Sequence, residues 1–277
     1  MTTVVAADLD RTLIYSRAAI DAVLRPEQVP LLSCVELLDG HPLSFMTARA
    51  ARWLAMLRRH ALLVPVTTRT LEQFDRVQLP GGTTPFAVIS NGGQILADGV
   101  PDAGWRLAVE SRIAGAGAGL PEIVDGLHRQ AAGPWVLNRR VADDLFCYLV
   151  VDLAGLPARF LAGWTRWCAD RGWVVSLQGR KIYTLPRALT KEAAIVEVMA
   201  RTGADRLLAA GDGALDAGFL SLAAAGIRPP HGELAETGWQ AQHVLVADGK
   251  GVLAGEQISR WLTAQVTAGQ PSHPRRR

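Results

Sequence analysis

Two acids two residues apart, Asp8-Leu9-Asp10-Arg11-Thr12, end the first apolar run of the chain, TVVAAD at 3–8. A carboxylate just past a strand end can attack phosphorus and form an aspartyl phosphate. A second carboxylate beside it can protonate the leaving oxygen and later activate water. Two anions facing an anionic phosphate repel it, so this chemistry requires a divalent cation. Magnesium, a hard ion that prefers oxygen ligands and phosphate, fits that requirement. The acids of Asp212-Gly213-Ala214-Leu215-Asp216 could complete the metal site. Lys191 starts a helical stretch, where its ammonium could neutralise a nucleophile and a phosphoryl oxygen; the competing reading is a solvated helix-end lysine. Thr67 ends the run ALLVPVT and could donate its hydroxyl to a phosphate oxygen, or simply cap a helix.

These residues are far apart in sequence, so a fold must gather them. Apolar runs at 3–8, 61–67, 86–90, 206–212 and 243–246 read as buried strands. Helical patterns lie between several of them. Residues 47–60 carry Ala50, Trp53, Leu54 and Leu57 on one face with Thr47 as N-cap, and 190–201 carry Ala194, Ile195, Val198 and Met199. Strands alternating with helices predict an α/β, Rossmann-like parallel sheet with helices on both faces. Ligands of such sheets bind at the carboxyl ends of the strands, where Asp8, Asp10, Thr67, Asn91 and Asp212 would converge.

The middle of the chain breaks the alternation. Helical patterns within 104–132 surround the loop AGAGAGL; strands follow at 135–152, a helix at 157–171 and a hairpin at 173–185 turning near Gln178-Gly179. We expect an inserted α+β cap domain at 100–186 within a discontinuous core of 1–99 and 187–277, with a frayed tail at 268–277. Residues 16–46, with a hairpin signal at Asp39-Gly40, are too long for an ordinary strand-to-helix connection. They read either as a flap over the site or as a structural hairpin.

Jointly, the motifs resemble the haloacid dehalogenase superfamily of phosphohydrolases. Its four motifs occur in order: Asp8 through Thr12, VPVTTR with Thr67, Lys191, and Asp212 through Asp216. The insertion lies between the second and third, as in the branch of Cof-type and sucrose-phosphate phosphatases with a large α/β cap. SNGG at 90–93 and GRKIYTLPRALTKEAAI at 179–195 are similar to strings of that branch. The resemblance covers about 1–99 and 187–265. It implies Asp8 as nucleophile and magnesium ligand, and Asp10 as general acid and base whose carbonyl also reaches the metal. It implies Thr67 and Lys191 on the phosphoryl oxygens, Asp212 on magnesium, Asp216 on magnesium or its waters, and Asn91 near the phosphate. Three residues depart from the pattern: Arg11 and Thr68 stand where glycine is common, and Leu215 where asparagine is common. None removes a required carboxylate, although the missing asparagine thins the support around the metal.

The implied activity is hydrolysis of a small phosphomonoester such as a sugar phosphate. The alternatives are a phosphomannomutase-like phosphoryl transferase and a catalytically silent protein that binds a phosphorylated ligand. Specificity would lie in the cap, where Arg139, Arg140, Arg180 and Lys181 could grip a sugar or a second phosphate. His231 could reach the crevice rim or be a plain loop histidine, and Trp164, Trp167 and Trp173 read as cap core before carbohydrate platforms.

Composition narrows the partners. The net charge of +3 comes from the terminal Arg275, Arg276 and Arg277; without them acids and bases are equal at 26 each. That balance argues against a nucleic-acid-binding face. No apolar run is long enough for a membrane span, and the N-terminus lacks a secretion signal. Three widely spaced cysteines suggest idle thiols in the cytoplasm, with neither a disulfide framework nor a zinc site. Oligomeric state is left open.

Overall fold

A computed structural model describes residues 2–268. Apart from Ala268, the tail expected to fray lies outside the described residues. Strand β1 (Thr3–Ala7) leads directly to Asp8. Its side chains alternate between two cores: Val4 and Ala6 face one, Val5 and Ala7 the other. A strand buried on both faces needs apolar residues throughout, which is why this run carries no polar alternation.

The puzzling 16–46 segment is a small sheet of its own. It holds β2 (Tyr15–Ser16), helix α1 (Arg17–Asp21), β3 (Leu32–Leu38) and β4 (His41–Thr47), in the order β2-β4-β3. Asp39 and Gly40 turn the hairpin in left-handed conformations, φ 51° and 77°. Val35 and Met46 pack into the core face that also receives α2 (Ala48–Leu57). The hairpin is therefore structural, while α1, at its beginning, borders the crevice described below. Thr47 caps α2 as expected, accepting from Ala50 N at 2.9 Å.

Next come β5 (Leu62–Pro65), the short α3 (Leu71–Phe74), and a meander of β6 (Phe86–Ile89), β7 (Gln94–Ala97) and β8 (Val100–Pro101). The run at 86–90 differs from expectation. It pairs antiparallel with β7 in a separate three-stranded sheet and joins the parallel layer just past β5, by the Val66–Val88 bridge and the bond from Thr67 N to Val88 O at 2.8 Å.

The interrupting block has two helices, α4 (Ala103–Ala114) and α5 (Leu120–Gln130), then β9 (Val136–Ala142), β10 (Phe146–Val151), α6 (Phe160–Ala169), β11 (Trp173–Gln178) and β12 (Lys181–Pro186). Its strands form an antiparallel sheet ordered β11-β12-β10-β9. Trp164 and Trp173 are buried as core, their indoles donating to Thr184 Oγ1 and Ala118 O. Trp167 is half-buried against them.

The chain then resumes with α7 (Lys191–Thr202), β13 (Arg206–Ala210), α8 (Ala217–Leu222), β14 (Ala225–Arg228), α9 (Glu233–Glu236), β15 (Val244–Val246) and α10 (Val252–Thr267). The main sheet is fully parallel, ordered β15-β14-β13-β1-β5. Helices α7 and α8 cover one face, α2 and α10 the other. This is the expected parallel α/β core with an antiparallel insertion. Its fourth strand in chain order is β14, AGIR, in place of the expected run at 86–90. No described helix is long and apolar enough to cross a membrane.

Candidate active site

Asp8 follows β1 without a break, its amide still bonded to Ala210 O of the neighbouring strand at 2.9 Å. The chain then closes a tight loop in which Leu13 N and Ile14 N both donate to Leu9 O. Arg11 takes φ 65° in that loop. A side chain there is strained, so the position's usual glycine has a backbone reason. In this chain the arginine extends toward Asp212, 3.9 Å away.

Lys191 opens α7 behind its N-cap Thr190, and it is buried. Its ammonium donates to Asp8 Oδ1 at 2.7 Å and to Asp216 Oδ1 at 2.6 Å. The solvated-lysine reading is thereby overturned. Asp216 Oδ2 accepts from the amides of Asp212 and Gly213 at 3.0 and 2.9 Å, which folds the 212–216 loop around the carboxylate. Gly211 and Gly232 leave room for this loop. A Cβ on Gly232, at φ 89°, would lie 2.5 Å from Asp212 Oδ2.

Asp8, Asp212 and Asp216 each place a carboxylate oxygen within 4.8 Å of the others. Burial raises Asp8 to about 7; Lys191 opposes the rise and Asp216 adds to it. Burial, then the charges of Asp8 and Asp216, push Asp212 well above the usual carboxylate range. Three buried acids share one buried ammonium, so the cluster lacks positive charge. Oxygen-only donors around a charge deficit suit a hard divalent cation, and the cluster could hold one.

Asp10 points elsewhere. It is half-exposed, and Arg69 grips both of its oxygens at 2.8 Å. Desolvation favours its neutral form, but Arg69 outweighs that and holds the carboxyl below its ordinary value. Arg69 also clasps Glu36, at 2.8 and 3.0 Å, and Glu36 accepts from Ser44 as well. Glu36 is fully buried and arrives on β3. The sequence reading missed this residue. Its one signal is an acid inside the apolar stretch Val35-Glu36-Leu37-Leu38, where an unpaired charge would be costly.

Thr67 is buried beside this centre, its hydroxyl accepting from Arg69 N at 3.2 Å, and the next residue, Thr68, lines the crevice. Asn91 sits beside Thr67, its backbone amide bonded to Thr67 O at 2.9 Å. It is buried at φ 57°, donates to Leu189 O at 2.9 Å, and ties the core to the chain returning from the insertion.

Among the cap candidates, Arg180 and Lys181 border the crevice above Asp8 and Asp10. Lys181 also lies over the rings of Tyr148 and Tyr183, at 5.6 and 6.0 Å. Arg139 donates to Ala131 O within its own block, and Arg140 is exposed on the same strand. His231 lines the crevice, bonded to Arg11 O at 2.9 Å and packed edge-on against Tyr15. Burial holds its pKa below the ordinary value.

No family model matches the chain, and no curated protein matches it in sequence. Solved structures do. The sucrose-phosphatase of Synechocystis sp. PCC6803, determined with sucrose and phosphate, is 15% identical with a TM-score of 0.62, over 95% of this chain and 98% of that one. A subclass IIB sugar phosphatase of the HAD superfamily is 11% identical with a TM-score of 0.56, over 95% and 99%. A phosphatase of the same superfamily from Bacteroides thetaiotaomicron is 13% identical with a TM-score of 0.55, over 96% of each chain.

Proposed function

We propose, starting from the HAD subclass IIB fold that these likenesses show, that the chain is a magnesium-dependent phosphomonoester hydrolase acting through an aspartyl phosphate on Asp8. One observation carries the reading. Lys191, buried between Asp8 and Asp216, sets an ammonium against the proposed nucleophile and against the carboxylate that folds the 212–216 loop, at the carboxyl ends of β1 and β13.

The residues divide the work. Lys191 occupies Asp8 Oδ1 and so leaves Oδ2 to attack phosphorus. The same ammonium and the Thr67 hydroxyl would hold phosphoryl oxygens as the ester bond breaks. Asp10 would deliver a proton to the departing oxygen and then take one from the water that attacks the phosphoryl group, releasing phosphate and restoring Asp8. Its present grip by Arg69 keeps it ionised, so it must leave Arg69 and acquire a proton before the first step. Magnesium held by Asp8, Asp212 and the Asp10 carbonyl, with Asp216 bracing their loop, would offset the negative charge that meets an incoming phosphate. We assign 100–186 the role of a cap that delivers Arg180 and Lys181 to the substrate. The free cysteines, two of them buried, support a reducing compartment, the cytoplasm.

Phosphate release from p-nitrophenyl phosphate with magnesium tests the reaction. Wild-type turnover that disappears in Asp8→Asn is expected. An undiminished Asp8→Asn rate would sink the mechanism, and transfer to an added sugar without free phosphate would favour the transferase.

A further inference from the structure

The phosphoryl end of the crevice is carboxylates and cations, but the rest of its wall is not. The crevice holds about 510 Å³, room for a phosphate and a ring-sized body attached to it. One side of it is α1 with the residues that follow. Ile20 and Leu24, one helical turn apart, anchor this segment in a small core with Tyr15 and Val252. The opposite face presents Ala18 and Ala22, and beside them Ala19 and Val23, again at i, i+4. Val23 is 47% exposed, and across the crevice so is Leu153, at 49%, next to the half-buried Val150. Small apolar side chains at one-turn spacing make a smooth surface, and here it faces an open crevice.

Away from the reaction-centre carboxylates the crevice offers no further acidic side chain; its polar groups there are cations, Arg180 and Lys181, and neutral groups such as Gln178, Thr68 and Ser16. Arg180 is exposed at the β11–β12 turn, and no ion pair among the described residues engages it. Gln178 donates to Ser176, leaving its carbonyl as one neutral acceptor, and Ser16 Oγ already accepts from Ala19 N. A polyol needs acceptors as well as donors along its whole length. The carboxylates that could accept, Asp8, Asp10 and Asp212, all belong to the reaction centre.

We infer that the substrate is a phosphomonoester with a flat, apolar or aromatic body lying on the Ala18–Val23 face, and a second, anionic substituent on that body held by Arg180. The inference rests on the proposed reaction only for where the phosphate sits, and it departs from the sugar-phosphate expectation. Apolar contact would supply affinity through buried area. Arg180 would supply selection through a charge-assisted hydrogen bond.

Binding of phosphonates, whose carbon–phosphorus bond this chemistry does not cleave, tests the inference apart from turnover. Titration calorimetry with magnesium would compare 4-carboxybenzylphosphonate, benzylphosphonate and the phosphonate analogue of glucose 6-phosphate on the full chain. The carboxybenzyl compound should bind at least about tenfold more tightly than the glucose analogue. Arg180→Ala should remove about tenfold from the carboxybenzyl compound and little from benzylphosphonate. Ala22→Asp should weaken both aryl ligands relative to the glucose analogue, with a thermal melt reporting that each variant is folded. A glucose analogue that binds as tightly as the carboxybenzyl compound overturns the inference, as does a ranking that both variants leave intact. Phosphate release from the corresponding aryl phosphate is measured in parallel. Aryl-acid preference without Asp8-dependent release would uphold the inference and reject the proposed reaction; release with a polyol preference would do the reverse.

Discussion

Lys191 is the residue on which the site depends. Removing its charge strands two buried carboxylates, Asp8 and Asp216, that each accept from it. Breaking a buried pair on one side costs about 3–5 kcal/mol. Lys191→Met should therefore lower stability by roughly that amount in urea unfolding and abolish phosphate release. Asp8 supplies a second prediction. With its pKa raised to about 7, the metal-free carboxyl is largely neutral below that pH and must lose its proton to bind a cation. Magnesium affinity should climb as pH rises through that range, because Asp8, and Asp212 with its own raised pKa, must both lose protons to bind the ion. For stability the sign is opposite. Between the ordinary carboxylate pKa and 7, the folded metal-free chain holds a proton that the unfolded chain has released, so this group makes stability fall as pH rises. Calorimetric magnesium titrations and thermal melts at stepped pH, with and without magnesium, check both trends. Taken by itself, Lys191 reads in the sequence as a helix-starting lysine and only the motif resemblance gives it a role, because its burial partners, Asp8 and Asp216, come from distant parts of the chain.

Among the elements, the β3–β4 hairpin has the clearest consequence. It brings Glu36 to Arg69, which in turn holds Asp10. The Arg69 and Ser44 bonds outweigh burial and keep Glu36 below its ordinary pKa, so its contribution is present above that ordinary value and is lost as pH falls through the folded one. Glu36→Gln should flatten the acid side of the stability curve and free Arg69 to reorient. We expect kcat to fall more than KM, because Asp10 is displaced while the phosphate-holding groups stay. Other elements differed in how plainly the sequence announced them. Strands β1, β5 and β13 are legible because burial on both faces demands unbroken apolar runs. Strand β14 escapes because Ala225 and Gly226 give its short run little hydrophobic signal, although Gly226 is what lets Val244 pack close by. The run at 86–89 is as apolar as a central strand, and composition cannot report that its main partner is the antiparallel β7.

Across the whole molecule, charge deficit and metal binding are coupled to stability. The uncompensated acids at the ends of β1 and β13 oppose folding until a cation joins them. Magnesium at a hundred times its dissociation constant should stabilise the chain by about 2.7 kcal/mol. A chelator should reverse the shift in melting temperature, and Asp212→Asn should blunt it. The parallel core and its insertion were readable from the alternation of apolar runs with helical patterns and its break, and the convergence of Asp8, Lys191 and Asp212 from motif order. The crevice wall was not, because Ala18 through Val23 look like any short helix until the antiparallel sheet is placed opposite them.

The clamp on the returning chain has a mechanical meaning. Asn91 holds Leu189 O, and Gly92, at φ 91°, passes so close to Thr190 that a Cβ would lie 2.2 Å from its carbonyl oxygen. These two contacts pin the backbone immediately before Lys191. A swing of the 100–186 block must then be absorbed upstream of Leu189, and on this side the lysine is insulated from it. If the block swings to exchange substrate and product, it would do so from a fixed anchor and need not disturb the ammonium that holds Asp8.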